Sequence, residues 1–208
     1  MRKKKVVLFA SGRGSNATAL YEAMRDGRIW GEAAALVCDM PQAAIIQQAQ
    51  QWGLPIILAD RKKFSDQHAF ETYILEKIAP FQPDLLCLAG FMRILSAYFV
   101  AAYEGKIINI HPALLPSFRG LHAQRQAFEA GVKITGCTVH FVTAQMDDGP
   151  IIVQAAVPVY ESDTVQTLAE RILRKEHPSF IKAVALFCAD KLQIKGHTVY
   201  GTDTGEEA

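Results

Sequence analysis

Residues 6–26 read VVLFASGRGSNATALYEAMRD, and this stretch decides the fold of the chain. The run Val6–Ala10 is short and uniformly apolar, as in a buried strand. Ser11–Asn16 is rich in glycine and serine, which allow a tight turn and a close approach of the backbone to a ligand. Apolar residues then recur at helical spacing over Asn16–Asp26. A strand, a glycine-rich turn and a helix in this order predict the first unit of a parallel sheet.

Strand-like and helix-like segments continue to alternate outward from this unit as far as residue 111. Leu85–Ala89 is apolar on both faces, which is typical of a parallel strand covered by helices. The alternation predicts an α/β fold with a doubly wound, mostly parallel sheet of the Rossmann-like kind. The further predicted strands are Ala33–Cys38, Pro55–Leu58, Leu85–Ala89 and Ile107–His111, and the predicted helices are Pro41–Trp52, Asp66–Ile78 and Ile94–Ala102.

The pattern changes after residue 133, where an antiparallel C-terminal extension is predicted. Two longer strands, Ile134–Thr143 and Ile151–Pro158, are expected to pair antiparallel. We expect all of these elements to belong to a single domain, residues 1–208. The remaining predicted segments are a helix over Thr164–Asp190 that Pro178 kinks or breaks, a hairpin of Leu192–Ile194 and Thr198–Tyr200 that turns at Gly196, and a polar tail, Thr202–Ala208, that frays.

Composition and charge exclude several classes of protein. The 208 residues carry a formal net charge of +1, so no overall field favours nucleic acid or a membrane surface. No apolar run approaches the roughly 20 residues of a membrane helix, and Val6–Ala10 is too short for a signal peptide. We therefore expect a cytoplasmic protein without nucleic-acid or membrane partners. The cysteines form no CxxC pair and are predicted to be buried free thiols: Cys38, Cys87, Cys137 and Cys188.

The glycine-rich turn has two functional interpretations. Its glycines and the helix N-terminus that follows can cradle a phosphate, with side-chain donors from Ser15 and Asn16. Alternatively, Gly12, Gly14 and Ala17 satisfy the pattern G-x-G-x-x-G/A, and Asp39 ends the second predicted strand, as in a dinucleotide-binding fold. The turn alone does not decide between a phosphate group and a dinucleotide such as NAD.

A second group of polar residues ends the strand Ile107–His111. Residues i and i+2 of a strand point to the same face, so Asn109 and His111 project together. Pro112 cannot continue a central strand, which places the pair at the carboxyl end of the sheet, where open α/β folds bind ligands. The spacing of the six histidines matches no metal site, so we expect no metal.

Two further segments leave predicted strands. Asp147-Asp148-Gly149-Pro150 consists of turn formers, and chemistry alone leaves open whether either carboxylate has a role beyond the turn. Leu88–Leu95 leaves the strand Leu85–Ala89 and adds an apolar surface at the same edge of the sheet.

Together, these segments resemble the folate-dependent formyltransferases that act on glycinamide ribonucleotide in purine synthesis. The combination of Asn-x-His with an aspartate is specific for folate formyl transfer. The matching motifs occur in the order of that family and cover almost the whole chain: Ser11–Asn16, Leu88–Leu95, Asn109–Pro116, Gly120–His122, Val139–Thr143, Asp147–Ile152 and Glu176–His177.

The resemblance implies a role for each group. Asn109, His111 and Asp147 would be the catalytic residues, and Glu176 would lie near the glycinamide amine. Residues 1–103 would be a nucleotide- and phosphate-binding half, and residues 104–208 a catalytic and folate-binding half. The ribonucleotide phosphate would be held by Gly14, Ser15 and Asn16, and 10-formyltetrahydrofolate by Met92, Arg93, Ile94, Leu95, Asn109, Thr143, Ala144, Gln145, Met146 and Asp147.

The chain departs from the family pattern at four positions. Arg is frequent where Gln67 stands, Pro is common at Arg119, a small residue at Asp148 and a polar residue at Leu173. Two alternatives remain: a formyltetrahydrofolate hydrolase, which shares the Asn-x-His core, and an NAD-dependent oxidoreductase, on the glycine-rich turn alone. The expected partners are small-molecule substrates, and the expected state is a monomer or homodimer.

Overall fold

The computed structural model describes residues 2–202 and divides the chain into two compact units between Ile108 and Asn109. The polar tail expected to fray lies outside the described residues except for Thr202. Among the described residues, no helix is long and apolar enough to cross a membrane.

The first unit is a parallel sheet with helices between its strands. Its strand order is β3-β2-β1-β4, and every pair is parallel. The last five residues of β1 and all of β4 are buried, in agreement with strands that are apolar on both faces. The strands are β1 (Lys4–Ala10), β2 (Gly31–Cys38), β3 (Ile56–Leu58) and β4 (Leu85–Leu88), and the α-helices are α1 (Ser15–Arg25), α2 (Ala44–Gln51), α3 (Gln67–Ile78) and α4 (Ala97–Ala102).

Two helices of this unit begin later than the sequence predicts. Pro41 lies in a turn, closed by a hydrogen bond from the Ala43 N–H to the Met40 carbonyl, and α2 starts at Ala44. Ser96 caps α4, because its hydroxyl accepts a hydrogen bond from the Phe99 N–H. The residues from Ile94 to the cap therefore remain in a loop, where their backbone groups stay outside the helix.

The second unit is a mixed sheet covered by one long helix. The strand β5 (Ile107–His111) starts in the first unit and ends in the second. The strand order is β5-β6-β7-β9-β8, in which β6 and β7 pair antiparallel, as predicted, and β8 and β9 form the predicted hairpin. The other elements are β6 (Ile134–Phe141), β7 (Ile151–Pro158), β8 (Gln193–Lys195), β9 (Thr198–Tyr200), α5 (Ala123–Glu129) and α6 (Val165–Cys188).

Pro178 does not break α6, which runs for 24 residues. Proline removes one backbone hydrogen bond and crowds the preceding turn. Buried side chains on both sides of it, Ile172 and Phe180 among them, keep the two halves of the helix against the core. The short helix α5 is absent from the sequence prediction. All four cysteines are buried free thiols, as predicted.

Candidate active site

Strand β5 places Asn109 and His111 on one face, as the two-residue spacing predicts. The intervening Ile110 is buried on the opposite face. Asn109 is partly exposed, whereas His111 is 4% exposed. The Asn109 side chain is therefore partly accessible to solvent, whereas protein surrounds the His111 ring almost completely.

The ring of His111 has a partner at each nitrogen. Nε2 lies 2.8 Å from the Phe118 carbonyl oxygen, and because a carbonyl only accepts, Nε2 carries the proton. Nδ1 lies 3.4 Å from Oδ2 of Asp147. A carboxylate beside an imidazole nitrogen can accept a hydrogen bond from it when that nitrogen carries a proton.

Asp147 is held in place by its backbone and by a neighbouring loop. Its φ of 50° lies in the left-handed region, which few residues other than glycine adopt. Oδ2 accepts a hydrogen bond of 2.8 Å from the Gly120 N–H, and the side chain is only 11% exposed. The carboxylate is therefore fixed beside His111.

Asp148 points to a different partner. Its Oδ1 lies 2.5 Å from Nη2 of Arg119, and both side chains are partly exposed. The two adjacent carboxylates thus have separate surroundings: Asp147 lies next to a histidine, and Asp148 next to an arginine. Arg119 and Asp148, two departures from the family pattern, contact each other.

His140 is a site residue to which the sequence analysis gives no role. Its Nδ1 donates a hydrogen bond of 2.9 Å to the carbonyl oxygen of Phe141, which leaves Nε2 as an acceptor. The Asn109 amide nitrogen donates to that Nε2 over 3.2 Å. All residues of β6 from Thr135 onward are buried, so no polar alternation along the strand distinguishes His140 in the sequence.

Burial favours the neutral form of His140. Desolvation lowers its pKa below 6.5, although the Phe141 carbonyl and Asp147 act in the opposite direction. Neutral His140 can accept from Asn109, whereas a charged ring could not. His140 therefore orients the Asn109 amide and leaves the second amide N–H available to another acceptor.

In the first unit, Gly14, Ser15 and Asn16 form the start of α1. Gly14 has a φ of 75°, and a Cβ atom there would lie 2.5 Å from the Ile45 side chain. The helix has no side-chain cap and no acidic residue in its first turn. Backbone N–H groups at such an end suit an anion such as phosphate.

The predicted dinucleotide contact at Asp39 is occupied by the protein itself. Asp39 is 2% exposed, and its Oδ2 accepts a hydrogen bond of 2.6 Å from Nε of Arg93. Its burial leaves the carboxylate little accessible to a ribose hydroxyl. The arrangement therefore does not favour the dinucleotide interpretation.

The remaining predicted site residues lie in three segments. Met92, Arg93, Ile94 and Leu95 belong to the loop between β4 and α4 of the first unit. Residues 143–146 follow β6 in the second unit, where the Thr143 hydroxyl donates to the Gln145 carbonyl over 3.2 Å. Glu176 is buried on α6 in the same unit.

Among residues 2–202, no cluster of three His, Cys, Asp or Glu side chains could hold a metal ion.

The sequence of the chain is similar to those of known formyl transferases. A family model described as formyl transferase matches residues 4–184. A phosphoribosylglycinamide formyltransferase of Bacillus subtilis is 45% identical over 182 residues, which are 86% of this chain and 93% of that protein. A trifunctional purine biosynthetic protein adenosine-3 of Drosophila melanogaster is 43% identical over 89% of this chain, but the chain spans only 14% of its length.

Solved structures agree with the sequence matches. The crystal structure of glycinamide ribonucleotide transformylase 1 from Symbiobacterium toebii has a TM-score of 0.93 and 43% identity, covering 95% of this chain and 93% of that one. A formyltetrahydrofolate deformylase from Pseudomonas syringae is more distant, at a TM-score of 0.88 and 26% identity, covering 95% of this chain and 65% of that one. The predicted α/β fold is confirmed by these similarities.

Proposed function

The chain belongs to the formyl transferase family, and we propose that it transfers the formyl group of 10-formyltetrahydrofolate to the glycinamide amine of 5'-phosphoribosylglycinamide. The products are formylglycinamide ribonucleotide and tetrahydrofolate. The observation that carries the proposal is the cluster of Asn109, His111 and Asp147, in which an amide donor and an imidazole beside a carboxylate share one end of β5.

The reaction needs donors for a developing negative charge. The amine attacks the formyl carbon, a new carbon–nitrogen bond forms, and the formyl oxygen becomes an oxyanion before the bond to the folate nitrogen breaks. One preorganised donor to such an oxygen contributes about 3 to 4 kcal/mol. We assign this role to the Asn109 amide, whose orientation His140 sets, and to charged His111.

The second task is to move a proton from the attacking amine to the folate nitrogen. Charged His111, which Asp147 stabilises, gives a proton to the folate nitrogen and then, as the neutral ring, takes up the proton of the attacking amine, directly or through water. In the structure Nε2–H is bonded to the Phe118 carbonyl, so we propose that the formyl oxygen replaces this carbonyl as the acceptor. The mechanism uses no covalent enzyme intermediate.

We assign the ribonucleotide phosphate to the first turn of α1, where Gly14, Ser15 and Asn16 lie. Glu176, buried on α6, is proposed to bind the glycinamide amine. The folate is proposed to contact Asn109 and Asp147, the loop residues Met92, Arg93, Ile94 and Leu95, and the residues Thr143, Ala144, Gln145 and Met146. We place the enzyme in the cytoplasm, because its four buried free thiols suit a reducing compartment. We further propose that it is a monomer or homodimer and that its substrates are small molecules.

An absorbance assay of folate product formation tests the proposal. Product should form from 10-formyltetrahydrofolate only when the ribonucleotide is present, and Asn109→Ala should lower kcat by about 10² to 10³. Equal turnover without the ribonucleotide would identify a hydrolase. Saturable binding of NAD at micromolar concentration would instead support an oxidoreductase.

A further inference from the structure

Glu71 is a completely buried carboxylate that the proposed mechanism does not use. It lies on the inner face of α3 with Phe70 and Ile74. Oε1 accepts hydrogen bonds from the Ser96 N–H over 2.7 Å and from the Gln67 side chain over 2.9 Å. Oε2 accepts from the Ser96 hydroxyl. A buried carboxylate is costly without such donors, so this one depends on all three.

Gln67 connects the same carboxylate to the loop between β4 and α4. Its amide nitrogen carries two N–H groups. One donates to Glu71, one helical turn away, and the other donates to the Ile94 carbonyl over 3.0 Å. Helix α3 therefore holds this loop at Ile94 and at Ser96, on both sides of Leu95.

Two side chains of the loop contribute little to its position, whereas that of Leu95 is buried. Met92 is 64% exposed and Ile94 67% exposed, so neither packs into the core. The first part of the loop is held instead by Ser11, whose hydroxyl accepts from the Met92 N–H over 2.8 Å, and by the ion pair of Arg93 with Asp39. The backbone of the second part is held by Gln67 and Glu71, together with the buried side chain of Leu95.

We propose that Glu71 and Gln67 are positioning residues for the folate pocket, which fix the backbone of Ile94 and Leu95. The inference rests on the proposed function, in which this loop binds the folate. A ligand that pairs with backbone N–H and C=O groups requires their positions to be correct within a fraction of an ångström. Gln67 then acts on the loop backbone, at a position where the family often has Arg.

Three variants of the full chain test the inference. Gln67→Ala removes the donor to Ile94. Gln67→Glu removes the same donor and places a second carboxylate beside Glu71. Glu71→Gln keeps the shape but removes the charge that three donors share. The matched controls are Gln50→Ala and Glu76→Gln, which alter exposed residues of the same types on α2 and α3.

The measurements are KM for both substrates, kcat at saturating folate, and the Kd of tetrahydrofolate. We expect Gln67→Ala to raise the folate KM and the tetrahydrofolate Kd by about two- to tenfold, the effect of one hydrogen bond. Gln67→Glu should raise both further. Glu71→Gln should raise them by about tenfold or more, because it affects charge-assisted bonds. The ribonucleotide KM and kcat should stay within about twofold of the controls.

Two outcomes would overturn the inference. The Gln67 variants could match Gln50→Ala in folate KM and tetrahydrofolate Kd, or all variants could raise the two KM values equally while lowering Tm. Glu71→Gln is the variant at risk of misfolding, and the exposed Gln67 keeps the test valid in that case. A wild type that binds tetrahydrofolate but forms no ribonucleotide-dependent product would disprove the proposed function; weaker tetrahydrofolate binding by the Gln67 variants would still support the positioning role.

Discussion

Arg119 and Asp148 form an ion pair, with 2.5 Å between Nη2 and Oδ1, directly beside the contact between Gly120 and Asp147. The two charged residues therefore connect the loop that carries Phe118 and Gly120 to the loop that carries Asp147. Both side chains are partly exposed, so the pair is expected to stabilise the fold by no more than about 1 kcal/mol. Because Asp148 pairs with Arg119 whereas Asp147 lies beside His111, we expect substitutions of the two aspartates to have different effects on activity.

Asp147→Asn should reduce kcat by about 10² to 10⁴, the range of an acid–base partner. Asparagine keeps the shape but cannot stabilise charged His111. Asp148→Gly should keep most of the activity, because Asp148 contacts Arg119 and not the histidine. Steady-state measurements of kcat for both variants test this difference. If Asp148→Gly is the inactive variant, the assignment of the carboxylate is wrong although the formyl transfer reaction stands.

His140→Ala should lower kcat by about tenfold or more, towards the loss expected for Asn109→Ala, because the Asn109 amide loses the acceptor that orients it. His140→Gln offers an amide oxygen near the position of Nε2 and should retain more activity. The comparison of kcat among the three variants checks the role of His140. An unchanged kcat in His140→Ala, at an unchanged Tm, would show that Asn109 needs no such partner.

The stability of the protein should fall as the pH drops below about 6.5, the pKa of an unfolded histidine. Burial lowers the pKa of both His140 and His177, so the unfolded chain binds protons there before the folded chain does. The free energy of unfolding then decreases with falling pH, by at most about 1.4 kcal/mol per pH unit for each group. Thermal melts between about pH 7.5 and about pH 5 measure this slope.

His140→Gln is the control for that experiment, since it removes one of the two histidines named above, whose pKa burial lowers, and should flatten the slope. Arg171 holds the pKa of the Asp163 carboxyl well below its usual range, so this group stays charged throughout the same interval. An identical slope in wild type and variant would assign the effect to other groups.

Gly14→Ala should raise the KM for the ribonucleotide far more than the KM for the folate. An alanine at a φ of 75° is strained by about 1–2 kcal/mol, and its Cβ would displace the Ile45 side chain from the turn. Gly27→Ala is a matched control, because its φ of 87° carries the same strain and no atom lies within 4 Å of the new Cβ. If Gly14→Ala raises the KM of both substrates equally, the assignment of the ribonucleotide phosphate to this turn is wrong.

The sequence by itself determined the order of the strands and of every helix except α5, and the pairing of Asn109 with His111. Apolar runs, glycine turns and the two-residue period of a strand depend only on residues that are near each other in the chain, so the sequence is enough to predict them. The starts of α2 and α4 were missed because the turn at Pro41 and the cap at Ser96 depend on specific hydrogen bonds. Of the two effects predicted for Pro178, the break is absent because packing on both sides of it maintains the helix.

Local chemistry does not distinguish Asp147 from Asp148, although the resemblance names Asp147, and only the tertiary structure shows which carboxylate lies beside His111 and which histidine lies beside Asn109. Asp147 and Asp148 are equivalent in composition, and the left-handed backbone of Asp147 with the Gly120 contact turns one of them to His111. His140 lies 31 residues from Asn109 in the chain, and the residues of β6 around it are buried. Contacts between segments so far apart depend on strand pairing and desolvation, which no local pattern of residues records.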